Sequence, residues 1–117
     1  MSNPPTFGAH DPEAARLAVL RLLEADPSLT QRSLSKALGL SLGKTHYVLH
    51  ALLDKGLLKI GNFRRSSRKA AYAYALTPAG IREKVRLTRS FLSRKEDEYR
   101  QLRAVIAELR ADLERTL

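Results

Sequence analysis

The stretch from Thr30 to Leu58, TQRSLSKALGLSLGKTHYVLHALLDKGLL, constrains the fold more than any other part of the sequence. It contains two short helical patterns that are separated by little more than one glycine. Thr30 and Ser41 can cap the two helices, because their side-chain oxygens accept hydrogen bonds from free backbone N–H groups, and Gly39 supplies the left-handed residue that ends the first helix. Two helices joined by so short a turn are typical of a helix-turn-helix, in which the first helix supports the second.

The second helix of this pair has one buried face and one exposed face. Thr45, Val48, Leu49 and Leu52 follow the i, i+3, i+4, i+7 spacing of a buried stripe, and Gly56 ends the helix. The polar residues outside the stripe are Gly43, Lys44, His46, Tyr47, His50 and Asp54. The first five are suited to phosphates and base edges in a major groove, whereas Asp54, near the helix end, is expected to point away from a duplex.

The flanking segments complete a fold that is mostly α with a small β-hairpin. Asp11 and Pro12 start a helix that continues to about Asp26, with Leu17, Leu20 and Leu23 on its apolar face, while Leu34, Ala37 and Leu38 are the buried positions of the next helix. The segments LLKIGNF and AYAYAL alternate as strands, and Thr77 and Pro78 start a last helix of about 39 residues, or ~60 Å. We expect a disordered tail over residues 1–10, a winged helix-turn-helix domain over 11–77 and a dimerisation helix over 78–117.

The hairpin carries most of the excess positive charge. The chain has a formal charge of +9, and residues 57–76 contain five Lys or Arg and no Asp or Glu. A hairpin that follows a helix-turn-helix is the wing of a winged helix, so its basic tip is expected to contact phosphates. A solvated loop without a binding role is the alternative. The tip residues assigned to DNA binding are Arg64, Arg65, Arg68 and Lys69.

The same residues carry a resemblance to a known family. The helix pair quoted above, followed by GNFRRSS, YALTPAGI and LTRSFL, resembles the MarR-type winged-helix transcriptional regulators, and in particular the subgroup associated with exopolysaccharide gene clusters. The resemblance implies sequence-specific binding to double-stranded DNA by a homodimer, with a small-molecule effector left open. The positions that it places in the recognition helix are Ser41, Gly43, Lys44, His46 and Tyr47, beside the wing residues already named.

The last helix has a heptad seam, which is an apolar stripe repeating at alternating steps of four and three. Its apolar members are Ile81, Val85, Leu92, Tyr99, Leu102, Ile106, Leu109 and Leu113, with Thr88 and Lys95 as polar interruptions and Leu87 and Phe91 beside it. A stripe of this length predicts pairing with a second copy of the chain. The alternatives are an amphipathic helix that folds back on its own domain and a helix lying on a membrane surface, against which the interspersed acidic residues argue.

Other functions find little support in the sequence. The absence of cysteine excludes disulfides and thiolate zinc sites, and neither a signal peptide nor an apolar run of membrane-spanning length occurs, so a cytoplasmic protein is expected. His46, His50 and Asp54 lie at i, i+4 and i+8, but a straight helix spreads them over ~12 Å, too far for one metal ion. No catalytic constellation or cofactor-binding motif is present, so we predict neither an enzyme nor a bound cofactor or metal.

The sequence therefore predicts a homodimeric regulator that binds a pseudo-palindromic operator in double-stranded DNA and has no membrane partner. Two other classes stay open. One is a protein-interaction adaptor that uses the winged helix as a scaffold, although such a protein would not need a basic wing beside a face rich in Lys, His and Tyr. The other is an RNA-binding protein, against which stands the scarcity of aromatic side chains for base stacking.

Overall fold

The computed structural model describes residues 11–63 and 71–117 of the 117-residue chain. Within these residues, four helices and two strands occur in the order α1, α2, α3, β1, β2, α4. Their bounds are Pro12–Ala25 (α1), Gln31–Leu38 (α2), Leu42–Asp54 (α3), Leu58–Phe63 (β1), Ala71–Leu76 (β2) and Pro78–Thr116 (α4). The mostly α fold with a small hairpin and a long last helix, which the sequence predicts, is confirmed.

Short polar side chains set where the first three helices begin. Asp11 accepts a hydrogen bond from the backbone N–H two residues ahead, at 3.3 Å. Thr30 and Ser41 each accept one from the N–H three residues ahead, at 3.1 Å. Gly39 ends α2 with a φ of 68°, which is the left-handed conformation that glycine adopts at little cost. The helix boundaries expected from capping chemistry are therefore confirmed.

Leucines from α1, α2 and α3 form the core beneath the helix pair. The fully buried ones are Leu17, Leu20, Leu23, Leu34, Leu49 and Leu52. The buried stripe predicted for α3 is confirmed, since Thr45 and Val48 are also buried. Ala37 was expected to be buried but is only half-buried. The reason is geometric: Leu34 and Leu38 lie one turn apart on the buried line of the short helix α2, and Ala37 lies to one side of that line.

The hairpin is antiparallel, and its register runs from Leu58 opposite Leu76 to Phe63 opposite Ala71. The Tyr74 N–H donates to the carbonyl of Pro27 at 3.3 Å, so β2 also bonds to the segment that follows α1. Leu58 and Tyr74 are buried, but 51% of Ile60 is exposed although it shares a strand face with Leu58. Strand alternation identifies a face; how far the core extends along that face is decided by packing.

The beginning of α4 is bonded closely to the end of α3. The Thr77 hydroxyl donates to the carbonyl of Gly56 at 2.6 Å and accepts from the N–H of Gly80 at 3.0 Å. The Thr77 N–H donates to the carbonyl of Leu57 at 3.1 Å. A Cβ atom at Gly80 would lie only 2.1 Å from that same carbonyl oxygen. The first turn of α4 therefore approaches the backbone after α3 more closely than any side chain at position 80 would permit.

The chain divides into two compact units, one ending at Val85 and the other comprising Arg86–Leu117, so the division falls inside α4. In the second unit Leu87 and Phe91 are buried, whereas every residue from 92 to 117 is exposed. Leu87 and Phe91, which the sequence places beside the seam, are therefore not part of its exposed stripe. Among the helices of residues 11–63 and 71–117, none combines the length and the apolar character needed to cross a membrane.

Candidate nucleic-acid interface

The turn between α2 and α3 is held by hydrogen bonds from both helices. The Ser35 hydroxyl donates to the carbonyl of Leu40 at 2.6 Å, and the Leu40 N–H donates back to the carbonyl of Ser35 at 3.2 Å. On the other side, the buried Thr45 hydroxyl donates to the carbonyl of Ser41 at 2.9 Å. These contacts leave the turn little freedom, so the angle between the two helices is fixed.

One side of α3, here called the recognition face, is exposed along its whole length. It comprises Ser41, Gly43, Lys44, His46, Tyr47 and His50, all of which are exposed. The Tyr47 side chain is 74% exposed, and a Cβ at Gly43 would meet no atom within 4 Å, so another molecule can approach the backbone closely there. The face offers one cation and several hydrogen-bonding groups without a carboxylate, which suits phosphates and base edges.

Two histidines and a glutamine adjoin on this face. The ring centroids of His46 and His50 are 4.0 Å apart, with 41° between the ring planes. The amide oxygen of Gln31 lies 3.3 Å from Nδ1 of His46, and the amide nitrogen of Gln31 donates to the Tyr74 hydroxyl at 3.4 Å. Gln31 is not recognisable as part of this face from the sequence, because no periodic pattern links the first residue of α2 to a histidine fifteen positions later.

No metal site is formed in the part of the chain that the structure describes. Groups of three His, Cys, Asp or Glu residues close enough to hold one ion are not found within residues 11–63 and 71–117. His46 and His50 alone would offer two ligands, fewer than the three or four protein ligands of zinc sites.

The predicted wing residues Arg64, Arg65, Arg68 and Lys69 lie outside the described residues. β1 and β2 lead directly into the segment that contains them, and Lys59 on β1 is exposed. The assignment of these four residues to a basic wing tip therefore stays a prediction.

A cleft of about 310 Å³ lies between the first turns of α1 and the side of α3. Its walls combine small apolar side chains with three cations and no carboxylate. The lining residues are Pro12, Ala15, Arg16, Lys44, Tyr47, Val48, Ala51 and Lys55. The Nε of Arg16 is buried without a hydrogen-bond partner, although the guanidinium approaches Glu13 at 3.9 Å. Sequence reasoning did not identify Arg16 or Lys55, since this cleft exists only where the two helices pack.

The apolar members of the seam on α4 are exposed in the single chain. Their exposed fractions run from 40% at Ile81 and Ile106 to 62% at Leu113. Val105 is a further exposed apolar residue on the same helix. Ion pairs also occur on this helix, and one of them joins Lys95, a polar interruption of the seam, to Glu98 at 3.2 Å. A helix with charged pairs and one long uncovered apolar stripe is typical of a coiled-coil partner.

The comparison with protein families agrees with this geometry. Residues 13–59 match the family described as winged helix-turn-helix DNA-binding, a range that covers nearly all of α1, all of α2 and α3, and the beginning of β1. The hairpin β1–β2 follows at the position of a wing. The first unit of the chain therefore has a winged helix-turn-helix fold.

Solved structures with the same fold are MarR-type transcriptional regulators. The PcaV transcriptional regulator from Streptomyces coelicolor is 26% identical, covers 92% of this chain and 80% of its own, and has a TM-score of 0.61. A MarR transcriptional regulator from Methanosarcina mazei Go1 is 22% identical (89% and 77% covered, TM-score 0.61). MepR of S. aureus in a complex with DNA is 22% identical (88% and 77% covered, TM-score 0.59). No curated protein sequence matches the chain.

Proposed function

We propose that this protein is a transcriptional regulator that binds double-stranded DNA sequence-specifically as a homodimer. The observation that carries the proposal is the recognition face, which is exposed, free of carboxylates and held at a fixed angle by the turn from Gly39 to Ser41. In helix-turn-helix proteins this face enters the major groove, where side chains reach base edges. Lys44 is suited to a phosphate or to guanine, and Tyr47 to a base edge or a phosphate.

The homodimer is proposed from the exposed seam on α4. Leaving Leu92, Leu102, Leu109 and Leu113 in water is unfavourable, because fully burying each one would contribute about 1.5–3 kcal/mol. The occupant that the seam fits is a second copy of the same helix, because the heptad spacing is self-complementary. Two recognition helices related by a two-fold axis would then read half-sites about one helical turn, ~34 Å, apart.

The target genes and the sign of regulation are narrower proposals. Similarity of GNFRRSS, YALTPAGI and LTRSFL to the exopolysaccharide-associated subgroup points to genes of exopolysaccharide synthesis. A dimer bound across a promoter would occlude it, so we propose repression. In vitro transcription from such a promoter should fall as the protein is added, and increased transcription would identify an activator instead.

Fluorescence anisotropy tests the proposed DNA binding. The full chain is titrated onto a duplex from the region upstream of its own gene and onto a scrambled duplex of equal composition, across a salt series. We expect at least ~10³-fold tighter binding to the native duplex, with affinity that falls steeply with salt as phosphate counterions are released. A duplex from upstream of an exopolysaccharide cluster tests the proposed pathway in the same titration.

A pair of matched variants locates the contact. Lys44→Ala should weaken binding to the native duplex, whereas Lys36→Ala removes the same charge from an exposed position on α2 and should have a smaller effect. Equal, weak binding of the wild-type protein to both duplexes would contradict the proposal and favour the adaptor function. Equal losses in the two variants would argue that only net charge matters.

A further inference from the structure

We propose that Gln31 is a positioning residue that fixes the imidazole of His46, so that Nε2 of His46 reads an exocyclic amino group of adenine or cytosine. This inference rests on the proposed binding of duplex DNA by the recognition face. It adds a residue from α2 to a specificity that is otherwise carried by α3, and it assigns a chemical role to one ring nitrogen.

The Gln31 amide lies between His46 and a buried neighbour on β2. The amide nitrogen donates to the hydroxyl of Tyr74 at 3.4 Å, and only 7% of Tyr74 is exposed. Tyr74 is itself held in β2, where its backbone N–H donates to the carbonyl of Pro27. With its nitrogen at the phenol, the amide turns its oxygen towards α3, where it lies 3.3 Å from Nδ1 of His46.

This contact determines which nitrogen of His46 carries the proton. An amide oxygen is only an acceptor, so a hydrogen bond to it requires a proton on Nδ1. A neutral imidazole has one proton, which leaves a lone pair on Nε2. The ring of His50, 4.0 Å away, packs beside the His46 ring and limits its rotation. Gln31 and His50 together therefore present Nε2 of His46 as a hydrogen-bond acceptor.

An acceptor at this position selects among base pairs. In the major groove, adenine N6 and cytosine N4 are donors, whereas guanine O6 and N7 and thymine O4 are acceptors. The exposed His46 on the recognition face is therefore complementary to adenine or cytosine at one position of each half-site and unfavourable to guanine or thymine there. Loss of the Gln31 amide would let the two tautomers mix and weaken this preference.

The first test reads the tautomer without DNA. Long-range ¹H–¹⁵N correlation spectra of the uniformly labelled full chain at alkaline pH distinguish Nδ1–H from Nε2–H in each neutral histidine. We expect the Nδ1–H form for His46 in the wild-type protein and a shift towards Nε2–H in Gln31→Ala. Gln101→Ala, on α4, is the matched control and should leave His46 unchanged. An Nε2–H tautomer in the wild-type protein would overturn the inference.

The second test reads base preference. Each base pair of the half-site is replaced in turn, and affinities are compared by anisotropy for wild type, Gln31→Ala, His46→Ala and the double variant. We expect one position where adenine or cytosine is preferred by about two- to tenfold, the range for a single neutral hydrogen bond. That preference should weaken in Gln31→Ala and vanish in His46→Ala, and the double variant should behave like His46→Ala, while the thermal unfolding midpoints stay close to wild type.

The two tests separate the failure of this inference from the failure of the proposed function. A uniform loss of affinity of Gln31→Ala for all duplexes, scrambled ones included, would overturn the role in base reading. An undiminished preference in Gln31→Ala would overturn it equally. If the wild-type protein binds no duplex specifically, the proposed function fails and base reading fails with it, whereas the spectra still decide whether Gln31 positions His46.

Discussion

At the residue scale, single oxygen atoms decide where the helices of this domain begin and how they are joined. Ser41 caps α3 with its side chain, and its carbonyl accepts from the Thr45 hydroxyl, so the one polar side chain in the buried stripe is satisfied. Thr45 shows why a helical stripe need not be wholly apolar, because a buried hydroxyl costs little when it finds an acceptor within its own helix.

Asp26, directly after α1, gives a residue-scale prediction about acidity. The Ser28 hydroxyl donates to Oδ1 of Asp26 at 2.6 Å, and the Ser28 N–H donates to the same oxygen at 3.0 Å. These hydrogen bonds lower the pKa of Asp26 from its ordinary value, and the bond from the hydroxyl has the larger effect. We expect Ser28→Ala to raise the pKa of Asp26 part of the way back, since the backbone bond remains. A carboxyl ¹³C titration followed by NMR measures this.

The direction of the effect on stability follows from the same pKa. The pKa of Asp26 is lower in the folded than in the unfolded chain. The contribution of Asp26 to the stability of the fold is therefore complete above the unfolded pKa and is lost as the pH falls through the folded pKa. Ser28→Ala should therefore reduce this acid-side loss. Ser93→Ala, on α4, is the control and should leave the pKa of Asp26 unchanged. An unaltered pKa in Ser28→Ala would show that the side-chain bond is not formed in solution.

At the element scale, the helices follow from the sequence more completely than their junctions do. Capping residues and glycines identify the ends of α1, α2 and α3, because these signals act within a few residues. The strands are identified by alternation, yet Ile60 on β1 is exposed. In the same way, helical spacing predicts that Ala37 on α2 is buried, yet it is only half-buried. In both cases burial depends on which elements pack over the side chain. The contact between the start of α4 and the backbone after α3 has no sequence signal beyond Thr77 and Gly80.

Gly80 gives a prediction about that junction. A Cβ at position 80 would lie 2.1 Å from the carbonyl oxygen of Leu57, so Gly80→Ala must displace the backbone. We expect the free energy of unfolding to fall by about 1–3 kcal/mol or more, as in other overpacked sites. Chemical denaturation measures the change.

Gly43→Ala is the matched control for Gly80→Ala, because a Cβ there meets no atom within 4 Å. Gly43 lies in the first turn of α3, and alanine has a higher helix propensity than glycine, so this variant should be as stable as wild type or more so. If Gly80→Ala were as stable as Gly43→Ala, α4 would not approach the backbone of Leu57 as closely in solution as the structure shows.

At the scale of the whole molecule, a single chain has a folded winged-helix unit and a long helix with an uncovered apolar stripe. Helices in proteins gain most of their stability from the packing of such a stripe, so we expect the second unit to need a partner surface. The proposed homodimer would supply that surface and would double the contact with DNA, because two linked recognition helices bind with an effective concentration that one alone lacks.

The seam gives the prediction at this scale. Leu102→Asp combined with Leu109→Asp places charges in the apolar stripe and should convert the proposed dimer to monomers, as measured by analytical ultracentrifugation. Ala104→Asp with Ala111→Asp is the control, since both residues lie on the opposite side of α4 in the same heptads and are likewise exposed. Identical sedimentation of the two double variants would argue against pairing through the seam.

The sequence by itself determined the order of the elements, the helix caps, the tight turn at Gly39 and the heptad seam. Each of these depends on local chemistry or on a short period, which a chain displays without folding. Only the tertiary structure decided the contacts between residues distant in sequence. It places Gln31 beside His46, covers Leu87 and Phe91, and forms the cleft that contains Arg16 and Lys55. These contacts arise from packing, which brings together side chains that no periodic pattern connects.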